Sequence, residues 1–263
     1  MPGEDNKLLD VSGLRVSVPG RVLVDALDMT LASGEFIAVL GRNGSGKTLS
    51  LLTLAGLRQP DAGTVRLGGA TMGTMRRQEV ARRLALLPQD TDDIFPATVL
   101  DTALVGRHPH IGRFRWESPQ DYEQARESLA MVGIADLAGR DVLSLSGGER
   151  RRLAVAQVLT QAPDIYLLDE PTNHLDPQHQ VDTLHIFRHA ADRGAGVIAS
   201  LHDVNLAARV ADRCLLLFGD GRWEFGTTDE VLDEERLETL FETPMEAVSW
   251  RGRRLFVASG DRT

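Results

Sequence analysis

Eight consecutive residues constrain this chain more than any others. Gly41-Arg42-Asn43-Gly44-Ser45-Gly46-Lys47-Thr48 satisfies G-x-x-x-x-G-K-[ST] at every fixed position. The apolar run Phe36–Leu40 precedes it and reads as a strand buried on both faces, and Leu49–Leu57 follows as an apolar helix. A glycine-rich turn between strand and helix aims backbone N–H groups inward, and the helix start adds a field that favours anions. Lys47 brings a point charge to the β- and γ-phosphates of a nucleotide, and the Thr48 hydroxyl can ligate magnesium. The segment predicts a site for a nucleoside triphosphate with Mg2+.

Ile165-Tyr166-Leu167-Leu168-Asp169-Glu170 supplies the acidic partner such a loop needs: a buried strand ending in two adjacent carboxylates. Asp169 can hold magnesium, directly or through water. Glu170 points to the other side and is placed to orient or deprotonate an attacking water.

Around these motifs, short apolar runs alternate with helical stretches. Leu84–Leu87, Val197–Leu201 and Cys214–Phe218 repeat the buried-strand pattern, which predicts an α/β fold with a largely parallel sheet. Leu14–Val18 and Thr64–Leu67 are shorter and lie beside glycine-rich turns, which suggests a small antiparallel β layer. Residues 91–160 are poor in strand signals and read as a helical insertion. There Ser118-Pro119-Gln120-Asp121 looks like a helix start and Gly133 like its stop. Thr227-Thr228-Asp229-Glu230 offers a capping box for a last helix over about 228–242, followed by a strand-prone tail. With 29 basic and 38 acidic residues the net charge is −9, so the chain as a whole has no pull toward nucleic acid. The basic clusters Arg76-Arg77, Arg82-Arg83 and Arg150-Arg151-Arg152 lack interleaved aromatics. No apolar run approaches the roughly 20 residues that span a bilayer, and no signal peptide is read at the N-terminus. Cys214 reads as a buried hydrophobe, His185 and His189 as an exposed helical pair without a third metal ligand, and Trp116, Trp223 and Trp250 as packing residues.

Leu145-Ser146-Gly147-Gly148-Glu149 lies ahead of Asp169, with Ser146 and two glycines opening a helix. Here the sequence resembles the ATP-binding cassette (ABC) proteins, whose signature this is. The resemblance covers residues 8–250 and implies a P-loop NTPase core of ABC-ATPase type: 8–90 and 161–220 as nucleotide-binding core, 91–160 as helical signature subdomain, and 221–263 as C-terminal helix and tail. It implies an ATPase that works as a homodimer, with Leu145–Glu149 of one copy serving the ATP held by the other. Gln89, in Leu86-Leu87-Pro88-Gln89-Asp90, matches the glutamine that contacts magnesium and water. Asp176, in Asn173-His174-Leu175-Asp176, matches the loop that reaches across the dimer, and His202, in Ser200-Leu201-His202-Asp203, the histidine that contacts the γ-phosphate. The partners implied are two transmembrane permease subunits and, through them, a periplasmic substrate-binding protein, with this subunit at the cytoplasmic face of the inner membrane.

Val18 stands where the family usually places an aromatic ring on the adenine, which predicts weaker discrimination between ATP and GTP. Residues 49–144 are too few for the coiled coil of chromosome-maintenance cassettes, and one cassette per chain is unlike the translation-factor group. A soluble non-transport cassette and a non-hydrolysing nucleotide-binding module remain as other classes. Gly106-Arg107-His108-Pro109-His110 resembles the importer subgroup for ferric siderophores, haem and cobalamin. Leu206-Ala207-Ala208-Arg209 and Leu215–Gly221 are closer to its cobalamin-associated members. Arg107, Arg113 and Arg115 form a basic stretch that reads either as a face toward membrane subunits or phospholipid, or as a solvated loop.

Overall fold

The computed structural model describes residues 6–89, 96–112 and 115–259. Asp90, Arg113 and the 90–91 boundary between core and insertion lie outside them. In chain order the N-terminal part runs β1 (Lys7–Val18), β2 (Arg21–Ala32), β3 (Phe36–Leu40), α1 (Lys47–Leu54), β4 (Ala62–Leu67), β5 (Ala70–Thr71), α2 (Arg77–Arg83) and β6 (Leu84–Leu87). The helical stretch is α3 (Val99–Leu104), α4 (Pro119–Met131) and α5 (Gly147–Gln161). There follow β7 (Ile165–Leu168), α6 (Pro177–Asp192), β8 (Gly196–Ser200), α7 (Val204–Val210), β9 (Arg213–Leu217) and β10 (Trp223–Thr227). The chain ends in α8 (Thr228–Val231), α9 (Glu234–Phe241), β11 (Met245–Trp250) and β12 (Arg253–Ala258).

A six-stranded sheet of order β10-β9-β3-β8-β7-β6 forms the centre, parallel except for the edge strand β10. All five residues of β3 are buried because both faces are covered. Phe36, Ala38 and Leu40 join a core shared with α3 to α7, whereas Ile37 and Val39 join one shared with α1 and the second sheet. That second sheet, order β2-β1-β4-β5, is antiparallel. β1 is longer than its sequence signal, and β2 carries none that stands out. Ala26 takes a positive φ of 51°, and the β1–β2 register shifts nearby, so Leu23 and Val24 are both buried and strict alternation is lost.

The Ser118 start of α4 is a full capping box: Ser118 Oγ accepts from the Asp121 N–H and the Asp121 carboxylate from the Ser118 N–H. Gly133 follows with φ of 70°. The 228–242 helix instead forms as two pieces, α8 and α9. Leu232 is fully buried between them, and Asp233 caps α9 through the Arg236 N–H at 2.8 Å. The tail forms the β11–β12 hairpin, docked by Asn205, whose side chain accepts from the Phe256 N–H at 2.8 Å and donates to its carbonyl at 3.0 Å.

Three surface readings change. Arg107 is not a solvated or membrane-facing cation: it pairs with Asp121 at 2.8 Å and donates to the Thr160 carbonyl, stapling the segment before α4 onto α5. Trp116 is 90% exposed and Trp250 54%, so neither is a packing residue. Trp223 does pack, and its indole N–H donates to the Asp25 carbonyl. Cys214 is buried, and burial pushes its thiol up to about 11. No described helix is long and apolar enough to cross a membrane.

Candidate functional site

The ends of β3, β7 and β8, the start of α1 and the β1–β2 turn converge on one cavity of about 650 Å3. Of the phosphate-loop residues, Asn43, Gly44, Gly46, Lys47 and Thr48 line it. Gly41 is needed where it stands because a Cβ there would sit 2.5 Å from Ser45 Oγ and 2.6 Å from the Leu217 carbonyl oxygen. Gly46 caps α1 with φ of 105°, a conformation that side chains rarely adopt, and no side chain caps the first turn. The N–H groups at that turn are therefore left uncapped by any side chain beside the cavity. Lys47 is 5% exposed and donates from Nζ to the carbonyls of Gly41 at 2.8 Å and Arg42 at 3.3 Å. Burial pushes its ammonium below the ordinary lysine value, against the pull of Glu170 and Asp169. A nearby polyanion would favour the charged form.

Glu170 is 7% exposed at the end of β7 and has a positive φ of 48°, a strained conformation for a non-glycine residue. Its Oε1 accepts from His202 Nε2 at 2.6 Å, and its Oε2 accepts from Asn173 Nδ2. Both carboxylate oxygens are thus held by neighbours that themselves line the cavity, as does Gln89. The donation fixes the proton on His202 Nε2, since a carboxylate can only accept.

Two residues to which the sequence analysis gave no role, Ser200 and Arg151, hold this arrangement. Ser200, fully buried in β8, donates to Asp169 Oδ1 at 2.6 Å and accepts from the Glu170 N–H at 2.8 Å. Arg151, 4% exposed on α5, donates to four carbonyls: Pro88 at 2.7 Å and Gln89 at 3.1 Å, and Asp169 and Glu170 both at 2.7 Å. A sequence reading sees Arg151 only as the middle of three arginines. Its helical spacing after Ser146 is the one cue that would have turned it inward.

Comparison with known proteins decides the family. A family model described as ABC transporter matches residues 24–173. The chain belongs to the ABC transporter family and carries its ATP-binding domain. A cobalamin import ATP-binding protein of Halobacterium salinarum is 39% identical over 89% of this chain, which spans 58% of that relative's length. A hemin import ATP-binding protein of Pseudomonas entomophila is 42% identical over 89% of this chain and 92% of its own. A solved structure described as a metal-chelate type ABC transporter in an inward-facing conformation matches with a TM-score of 0.84. It is 30% identical, over 97% of this chain and 98% of that one.

Family members use magnesium with the nucleotide, and the donor set here fits it. Thr48, Gln89 and Asp169 line one smaller cavity of about 240 Å3 together, offering hydroxyl, amide and carboxylate oxygens, the ligands of a hard cation. The ABC signature behaves differently. Ser146 caps α5 in a box with Glu149, Leu145 is buried, and Ser146 and Gly147 are exposed. None of Leu145–Glu149 lines the nucleotide cavity of its own chain. Asp176 caps α6 and accepts from His179 Nδ1 at 2.7 Å, while His179 Nε2 accepts from Arg152 of α5 at 2.9 Å. That chain of contacts ties the loop at Asp176 to the signature helix. His185 and His189 are exposed, and the described residues hold no group of three potential metal ligands.

Proposed function

We propose that this chain is the ATP-hydrolysing subunit of a bacterial importer, and that it takes a metal chelate, cobalamin first, across the inner membrane. The observation that carries the ATPase reading is the Glu170–His202 contact of 2.6 Å in the same cavity as Lys47. ATP lies on the N–H groups of Gly44–Thr48, with Lys47 swinging from the loop carbonyls to the β- and γ-phosphates. His202 turns from Glu170 to the γ-phosphate, which frees one carboxylate oxygen to take a proton from the attacking water. Asn173 keeps the other oxygen in place. Thr48, Gln89 and Asp169 hold magnesium, which when bound offsets phosphate charge. Lys47 and the loop N–H groups stabilise the negative charge that gathers on the transferring phosphoryl group.

The signature residues Leu145, Ser146, Gly147, Gly148 and Glu149 act on the ATP of a second copy, since none of them lines the cavity of its own chain and Ser146 and Gly147 stand exposed. Two copies in head-to-tail contact then enclose two nucleotides. The insertion α3–α5 reports this closure to two permease subunits, through which a periplasmic binding protein delivers cargo. The subunit sits peripherally on the cytoplasmic face of the inner membrane.

Cobalamin is favoured by the Halobacterium relative and haem by the Pseudomonas relative, whose length the chain spans more fully. Uptake of labelled cobalamin, haem and a ferric siderophore, each at limiting concentration, separates them in a host carrying wild type or Glu170→Gln. Loss of cobalamin uptake alone supports the proposal. Loss of haem or siderophore uptake alone keeps the ATPase and overturns the cargo.

A further inference from the structure

The lining of the nucleotide cavity divides by chemistry. One part, from the start of α1 and the ends of β7 and β8, handles phosphate, metal and water. The other is the β1–β2 turn, which contributes Val18, Arg21 and Leu23. Leu23 is buried, and its Cβ lies 3.1 Å from the point where a Cβ on Gly46 would be, so it backs the phosphate loop. Val18 is 38% exposed and offers only methyl groups. With the phosphates on the loop, the base and ribose fall to this turn, whose one planar polar group is the Arg21 guanidinium.

Arg21 is not a free surface arm. Its Nε donates to the Gly219 carbonyl at 2.7 Å. Gly219 is wedged between Arg21 and the phosphate loop: a Cβ there would lie 2.9 Å from Ser45 Cα and 3.0 Å from Arg21 Nη2. One edge of the guanidinium is thereby anchored beside the loop, while the side chain remains exposed toward the cavity. A guanidinium held in this way can stack on a purine through its face, an arrangement of Arg with π-systems that an ammonium cannot copy.

We propose that Arg21 is the base platform of this site, supplying by guanidinium stacking the contact that Val18 cannot. The inference rests on the ATP reading of the cavity. A stacking cation reads the ring face and not its edge, so guanine is held nearly as well as adenine. The site is then a purine site, with little choice between ATP and GTP.

The test is equilibrium binding of ATP, GTP and inorganic tripolyphosphate, each with magnesium, to the full chain. Tripolyphosphate presents the charge without the base. Arg21→Ala and Arg21→Gln are compared with wild type; the glutamine keeps an N–H able to reach Gly219. Both should weaken ATP and GTP by about fivefold to tenfold, in similar proportion, as expected for loss of a partly desolvated cation–π contact. Tripolyphosphate should stay within about twofold, and adding Val18→Tyr to Arg21→Ala should restore nucleotide affinity. Tripolyphosphate weakened as much as ATP would overturn the proposal, because Arg21 would then act as a phosphate charge. Unchanged ATP and GTP affinity in both variants, with wild type binding tightly, would overturn it alone. Failure of wild type to bind ATP would overturn the nucleotide reading itself.

Discussion

Arg151 shows at the residue scale how much one side chain can organise. It meets the carbonyls of Gln89 and Asp169, both offered as magnesium ligands, and of Glu170, the proposed base, and is reached from a different part of the chain from any of them. Arg151→Met preserves bulk but removes the guanidinium donors from the carbonyls of Pro88, Gln89 and Asp169, at about 1–3 kcal/mol each where water cannot replace them. The Glu170 carbonyl keeps the Asn173 N–H. Urea denaturation should show a loss of at least about 3 kcal/mol. A change below 1 kcal/mol would mean those carbonyls find water instead. The chemistry of Gly41–Thr48 and of Asp169-Glu170 was legible in the sequence because each motif is contiguous and its function lies in local backbone geometry. Ser200 and Arg151 were not, since each acts only through strands and helices brought together by the fold. Asn173 and Ser200 both stood inside recognised motifs, but the bond of Asn173 to Glu170 depends on the turn after β7 and that of Ser200 to Asp169 on the pairing of β7 with β8.

Elements tell the same story with different physics. The start of α4 was readable because a capping box and an N1 proline are local signals. The break between α8 and α9 was not, because the burial of Leu232 that enforces it is a tertiary fact. The missed strand β2 lost its alternation to a bulge that only pairing with β1 makes favourable. At α4, Arg107 and Ser118 hold the Asp121 carboxyl down at about 2, from 3.8. The folded state therefore binds this proton less readily than the unfolded state. The stabilisation is complete above about pH 4 and is lost as pH falls through about 2. Asp121→Asn should remove that acid-sensitive component, so its Tm should fall less than wild type's between pH 4.5 and pH 2. Parallel Tm curves would show that the carboxylate contributes nothing there. Ser118→Ala should cost about 1 kcal/mol by the same denaturation measurement.

For the whole molecule, the two sheets and the helical layer place the phosphate loop, the end of β7 and His202 around one cavity, and leave the signature turn outside it. That separation is the observation behind the proposed second copy, whose nucleotide the signature residues would serve. The order of motifs along the sequence pointed to this architecture, whereas the cues to cargo were resemblances of residues 106–110 and 206–209 to an importer subgroup and not a binding site. Glu170 as the group that activates water is the centre of the proposed mechanism. Its most direct test is the rate of Mg-ATP hydrolysis by Glu170→Gln against wild type, measured at ATP concentrations where both are saturated. A general base contributes about 10²–10⁴-fold, so Glu170→Gln should bind ATP and hydrolyse it at least about 100-fold more slowly. Hydrolysis within a few-fold of wild type would contradict it.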